Sequence, residues 1–176
     1  MTGAPGCGKT SILAALRHQG YAVVPEAATD VIARQQARGV DQPWTRPEFI
    51  DQIVVLQHAR QLEADENGPG VQLYDRSPIC TLALARYLDR PATPRLAEEI
   101  KRLIEQQIFQ RPVFFVRPIG FITPTSARRI SYAESLAFER VHESAYREHG
   151  FELIDVPLAP VRERAALVAR ELELRS

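Results

Sequence analysis

Hydrophobic positions recur along this chain in two rhythms. One is helical. Phe49, Ile53 and Leu56 fall at the spacing that puts side chains on one face of a helix, as do Val161, Ala165, Val168 and Leu172 near the end of the chain. The other consists of short, mostly apolar runs at Tyr21–Pro25, Val71–Asp75, Val113–Val116 and Phe151–Val156. Runs of this kind, separated by helices, predict parallel strands covered on both faces.

Start and stop signals sharpen the helices. Thr45 to Glu48 reads as a capping box, and Ser77-Pro78 puts a hydroxyl before a proline ahead of Ile79–Leu88. Thr93-Pro94 repeats that device before Leu96–Phe109. Ser131 and Glu134 form a second box opening a helix that Gly150 is placed to end. The sum predicts a three-layer α/β fold, with residues 1–176 as one unit and a parallel sheet of order 2-3-1-4-5. Only Met1 and Thr2 precede Gly3, where a buried first strand is expected. The expectation is a gap in the sheet, with a true start upstream or a truncated chain; the mass of the native protein checks this.

Composition narrows the partners. The 22 basic residues balance 22 acidic ones, so bulk charge recruits neither nucleic acid nor an anionic membrane. No apolar run is long enough to span a bilayer, and two cysteines, Cys7 and Cys80, make no disulfide framework, so a cytoplasmic setting is expected. The only lysines are Lys9 and Lys101; every other basic residue is arginine.

Lys9 lies where a lysine has specific work. Gly3-Ala4-Pro5-Gly6-Cys7-Gly8-Lys9-Thr10 satisfies G-x-x-x-x-G-K-[ST] in full, with Ser11 continuing into an amphipathic helix. Glycines let backbone N–H groups approach phosphate oxygens, and the helix start adds its positive dipole end. Lys9 is expected to neutralise the β- and γ-phosphates of ATP, and the Thr10 hydroxyl to ligate Mg²⁺. Cys7, beside a helix N-terminus, reads as a redox-sensitive thiol or simply a small side chain filling the loop. His18, His58, His142 and His149 show no metal-ligand spacing.

Further along, Pro25-Glu26, Tyr74-Asp75-Arg76-Ser77 and Arg128-Arg129 follow the loop in order. That order resembles the P-loop kinases of nucleosides and nucleotides. More closely, the motifs Val24-Pro-Glu-Ala-Ala28, Tyr74-Asp-Arg-Ser-Pro78, Thr125-Ser-Ala-Arg-Arg129 and Phe138-Glu-Arg-Val-His142 resemble small bacterial AAA-domain ATPases and predicted kinases related to nicotinamide-riboside kinases. The resemblance implies that Glu26 accepts the proton of an acceptor hydroxyl, the alternative being a helix N-cap. Asp75, closing an apolar strand, matches the element that holds Mg²⁺; the alternative is capping of the next helix. Arg76 would clamp substrate or phosphate, since a guanidinium bonds two oxygens at once. Arg128 and Arg129 would sit on a lid over residues 118–130 and neutralise the transferred group. The expected activity is a kinase moving the γ-phosphoryl of ATP to a small-molecule acceptor. Its rivals are an NTPase and a nucleotide-sensing module.

Overall fold

The computed structural model describes residues 1–66, 70–119 and 131–175. Within them lie strands β1 (Ala22–Val24), β2 (Gln72–Tyr74), β3 (Pro112–Val116) and β4 (Glu152–Val156). The helices are α1 (Lys9–His18), α2 (Ala27–Ala37), α3 (Phe49–Glu66), α4 (Pro78–Tyr87), α5 (Pro94–Glu105), α6 (Tyr132–Glu148) and α7 (Val161–Glu173). Each apolar run foreseen in the sequence is a strand, with β1 and β2 trimmed at both ends, β4 trimmed at its start and β3 extended back to Pro112.

The strands pair in parallel, β1 with β2 and β3 with β4, so that Val24 faces Tyr74 and Phe114 faces Ile154. Met1 and Thr2 join the two pairs. The Thr2 N–H donates to the Phe114 carbonyl at 2.8 Å and the Val116 N–H to the Thr2 carbonyl at 2.9 Å. On the other side the Met1 ammonium donates to the Tyr74 carbonyl at 2.9 Å, and the Arg76 N–H donates to the Met1 carbonyl at 3.0 Å. Counting Met1–Thr2 as the first strand gives the expected order 2-3-1-4-5. Where this central row ends, a cavity of about 620 Å³ separates β2 from β3, lined by Gln72, Tyr74, Pro112 and Phe114 among others.

Alternation along β3 assigns the layers. Val113 joins the core made by α2 to α6, whereas Phe114 and Val116 join Ile12, Leu13 and Leu16 of α1 with Ala165 and Val168 of α7. The sheet is thus covered on both faces, as apolar parallel strands require. No helix among the described residues is long and apolar enough to cross a membrane.

The caps test the sequence reading one by one. Thr93 caps α5, accepting from the Leu96 N–H at 3.2 Å, and the Ser131–Glu134 box is formed at both ends. Gly150, at φ 75°, follows the end of α6 as foreseen. Two expectations are corrected. The Thr45 hydroxyl donates to the Gln42 carbonyl inside a 3₁₀ turn, so α3 begins only at Phe49. Ser77 stands at the start of α4 without capping it, because its hydroxyl is spent on Tyr146 at 2.7 Å.

This layout puts the carboxyl ends of β1, β2 and the Met1–Thr2 row side by side. The chain leaves the last of these at Gly3, whose φ is 136° and whose α-carbon lies so close to β3 that an added Cβ would stand 2.4 Å from the Val116 carbonyl oxygen. Gly3→Ala therefore costs roughly 2–5 kcal/mol through strain and overlap. Urea unfolding measures it; unchanged stability would mean that the loop can withdraw from β3.

Candidate functional site

The loop from Gly3 to Gly8 folds over the start of α1. Gly6 and Gly8 have φ of 84° and 87°, left-handed values that turn the backbone so that its N–H groups can converge. The Cys7 N–H donates to the Ala4 carbonyl at 3.4 Å, closing a tight turn. Lys9, the first residue of α1, is buried, and its ammonium donates to the carbonyls of Gly3 and Ala4, both at 3.2 Å, and to Cys7 Sγ at 3.5 Å. No carboxylate lies within ion-pair distance of that ammonium among the described residues. Thr10 and Ser11 follow with exposed side chains. Pro5 lies at the bend of the loop, half-buried, and Ala4 is buried in it.

Glu26 and the Asp75-Arg76 pair meet this loop from the neighbouring strand ends. Glu26 stands at the N-terminus of α2 but its side chain caps no helix N–H. It accepts instead from the Thr29 hydroxyl at 2.8 Å and pairs with Arg76 Nε at 2.6 Å. Burial alone would raise the Glu26 carboxyl; Arg76, Lys9 and Thr29 outweigh it and hold it below the usual carboxylate range. Burial likewise works against the Arg76 charge, and Glu26 restores it, so the guanidinium stays protonated. Arg76 itself has φ 75°, a left-handed conformation uncommon for a bulky residue. That turn lets adjacent residues, which on a strand would point to opposite faces, both serve the strand-end crevice.

Asp75 is buried, and its Oδ1 has no hydrogen-bond partner among the described residues. A buried carboxylate oxygen left this way is costly unless a cation or donor arrives. With the Thr10 hydroxyl exposed nearby in sequence to the loop lysine, the donor set fits Mg²⁺, which prefers hard oxygen ligands and retains several waters. Among the described residues, no group of three or more His, Cys, Asp or Glu side chains is arranged to hold a metal ion unaided. Nucleotide phosphates and water would therefore complete its shell.

Past Asp75 and Arg76 lies a small void of about 10 Å³, whose lining includes Gln57, Gln61, Glu99, Arg102 and Phe109. Its walls are tied together. Arg102 donates to Glu99 and to Gln61, both at 2.7 Å, and Thr81 donates to Gln57 at 2.9 Å. This polar wall joins α3, α4 and α5 beside Glu26.

The structure thus brings Lys9, Glu26, Asp75 and Arg76 together. Arg128 and Arg129, with most of the expected lid over 118–130, lie outside the described residues. Arg117 is fully engaged, pairing with Glu139 and Asp155 at 2.7 Å and with Glu143 at 3.4 Å.

Two residues passed over in the sequence hold the site in place. Arg164 of α7, 2% exposed, donates to the Cys7 carbonyl at 2.9 Å and the Arg117 carbonyl at 3.0 Å, tying the loop to the end of β3. His142 of α6 is fully buried, and its Nε2 stands 3.0 Å from Arg76 Nη1. Both sit on otherwise apolar helical stripes, Arg164 between Val161 and Val168 and His142 between Phe138 and Ala145. A polar residue in such a stripe is the signal that could have found them.

Comparison with known proteins agrees with this geometry at the level of fold. Deoxyadenosine kinase from M. mycoides, in a structure with products dCMP and a flexible dCDP bound, is 13% identical, with a TM-score of 0.61 over 99% of this chain and 97% of that one. The same enzyme with bound dATP is 17% identical, with a TM-score of 0.55 over 98% and 97%. At such identities the likeness is one of fold. No curated protein matches the chain. A family model described as "AAA domain" matches residues 1–164, and the chain belongs to that family.

Proposed function

We propose that this protein is a small-molecule kinase, transferring the γ-phosphoryl group of ATP to a hydroxyl or phosphate of a nucleoside-, nucleotide- or vitamin-like acceptor. The observation that carries the proposal is a pair of unmatched groups side by side. Among the described residues, Lys9 is a buried ammonium whose partners are loop carbonyls and a thiol, and Asp75 presents a buried carboxylate oxygen without a hydrogen-bond partner. A nucleotide with its metal complements both, the phosphates meeting Lys9 and the cation meeting Asp75.

In this reading the backbone N–H groups from Gly3 to Thr10 and the N-terminus of α1 cradle the phosphates. Thr10 and Asp75 would hold Mg²⁺, which when bound neutralises charge on the phosphate oxygens. Glu26 faces the acceptor. The acceptor oxygen bonds to the γ-phosphorus as the bond to the β,γ-bridging oxygen breaks, ADP leaves with that electron pair, and the acceptor proton is released. Because Arg76 keeps Glu26 strongly acidic, its carboxylate is a weak base, suited to orienting the hydroxyl by accepting its hydrogen bond. A loose phosphoryl transition state asks for little more. Arg76 bridges Glu26 and the transferred group, and the wall around Gln57, Gln61 and Arg102, whose void of about 10 Å³ holds no more than a water, borders the acceptor's place. The M. mycoides enzyme, which shares the fold and is described with dCMP and dCDP bound, supports a nucleoside or nucleotide as the acceptor. Arg128 and Arg129 are proposed as the arginines of a lid.

The deciding experiment is a phosphotransfer assay across nucleosides, nucleotides and vitamin precursors. ADP formation that is flat across the panel would replace the kinase with an NTPase. Lys9→Ala should weaken nucleotide binding roughly ten- to a hundredfold, the worth of one charge-assisted contact, by calorimetric titration. Glu26→Gln should lower transfer roughly a hundredfold or more while leaving nucleotide affinity as it was; unchanged transfer would remove Glu26 from the reaction.

Glu26 also makes a pH-dependent contribution to stability. Its carboxyl is depressed in the folded state, so the stabilisation is complete above the ordinary glutamate range and lost as pH falls through the lowered value. The melting-temperature gap between wild type and Glu26→Gln should therefore be constant from neutral pH to about 5 and close in stronger acid. A gap already closing near pH 6 would contradict the Arg76 pairing.

A further inference from the structure

We infer that His142 is a positioning residue for Arg76, acting as a neutral imidazole protonated on Nδ1. The deduction follows from donor and acceptor chemistry. His142 Nδ1 lies 3.0 Å from the Phe138 carbonyl oxygen, which can only accept, so Nδ1 carries a proton. His142 Nε2 lies 3.0 Å from Arg76 Nη1, and a guanidinium can only donate, so Nε2 is a bare acceptor. A doubly protonated ring would set two N–H groups against each other. His142 therefore adds no charge to the site. It adds direction.

Direction is what Arg76 otherwise lacks. Its side chain is long, its backbone is left-handed, and its Nε, 2.6 Å from Glu26 in the ion pair, makes no hydrogen bond among the described residues. A single ion pair lets a guanidinium pivot about that contact. With Nη1 held by His142, both ends of the guanidinium plane are fixed, leaving Nη2 as the group free to turn toward a bound phosphoryl oxygen. The ring is in turn locked by packing. It is fully buried, its centroid is 4.3 Å from that of Phe138, and Phe138 stacks on Tyr87 of α4 at 4.5 Å. The carbonyl that sets the tautomer belongs to the preceding turn of α6, so the helix itself dictates which nitrogen faces Arg76. The other charged and titratable neighbours of Arg76 are the Met1 ammonium, Asp75, Cys7 and Cys80, from the first row, the phosphate loop and the β2–α4 region, and the Cys80 thiol is also a neighbour of the His142 ring. From α6, His142 is the residue that meets its guanidinium.

The orienting contact is a matter of the fold; its effect on turnover rests on the kinase reading. The two are tested separately. Nitrogen-15 spectra of the histidine rings in the full-length wild-type protein should show His142 with a protonated Nδ1 and an unprotonated Nε2 at neutral pH. Hydrogen exchange of the Arg76 guanidinium should accelerate at least about tenfold in His142→Leu, and slow again in His142→Gln, whose amide oxygen can accept from Nη1. A protonated Nε2, or guanidinium exchange equal in wild type and His142→Leu, overturns the inference. If His142→Leu does not fold, the wild-type tautomer and the glutamine variant still decide it. With an acceptor found in the substrate panel, His142→Leu should lower kcat roughly a hundredfold with nucleotide affinity unchanged, the cost of a misplaced clamp. A rise in KM at constant kcat would make His142 merely structural. If no acceptor is phosphorylated the kinase reading fails, and the tautomer and exchange results stand on their own.

Discussion

Opposite charges left unmatched in a dry place are the constraint around which this protein is built. Lys9 stands at the start of α1 and Asp75 at the end of β2, both buried, and among the described residues neither is in an ion pair while Asp75 Oδ1 has no hydrogen bond. Moving a charge out of water costs several kcal/mol unless something answers it. The fold limits that cost with carbonyl dipoles around Lys9, and the remainder is what the proposed polyphosphate and its cation would answer. Beside them Glu26 and Arg76 are matched to each other, so the proposed acceptor side is electrically quiet while the proposed phosphate side is not.

Order in this region is supplied from a distance. Arg164 comes from the last helix and His142 from α6, far from the loop in sequence, yet both end on backbone or side-chain atoms of the site. Arg117 ties α6 to β3 and β4 through three carboxylates and rests on the Phe115 ring. These arginines hold carbonyls and carboxylates in fixed directions, a task for which a planar fork is better suited than a flexible ammonium. The chain's preference for arginine over lysine is thereby a structural habit, with Lys9 as the exception where a compact charge is wanted.

What could be read from the sequence was whatever is local. The phosphate loop is contiguous, and its glycines announce their backbone conformations. The strands were visible because buried parallel strands are continuous apolar runs, and Ser131 and Thr93 cap their helices through atoms three residues away. Thr45 and Ser77 deceived because a hydroxyl can spend its bond elsewhere, on Gln42 and on Tyr146. His142 was dismissed for want of metal spacing, although its place between Phe138 and Ala145 already marked it as buried. The Glu26–Arg76 pair spans two strand ends, and no local pattern encodes such a meeting. Asp75 could be singled out because it closes an apolar run, and the structure places it buried just after β2 with Oδ1 lacking a hydrogen bond among the described residues.

The left-handed backbone of Arg76 has an evolutionary consequence. Glycine or asparagine would relax that turn. Either one deletes the guanidinium, stranding Glu26 and His142 together. Stability and chemistry therefore pull in opposite directions at one codon. On the proposed role of Arg76, a variant that folds better through a relaxed turn at this position loses the clamp that the turn was bent to present.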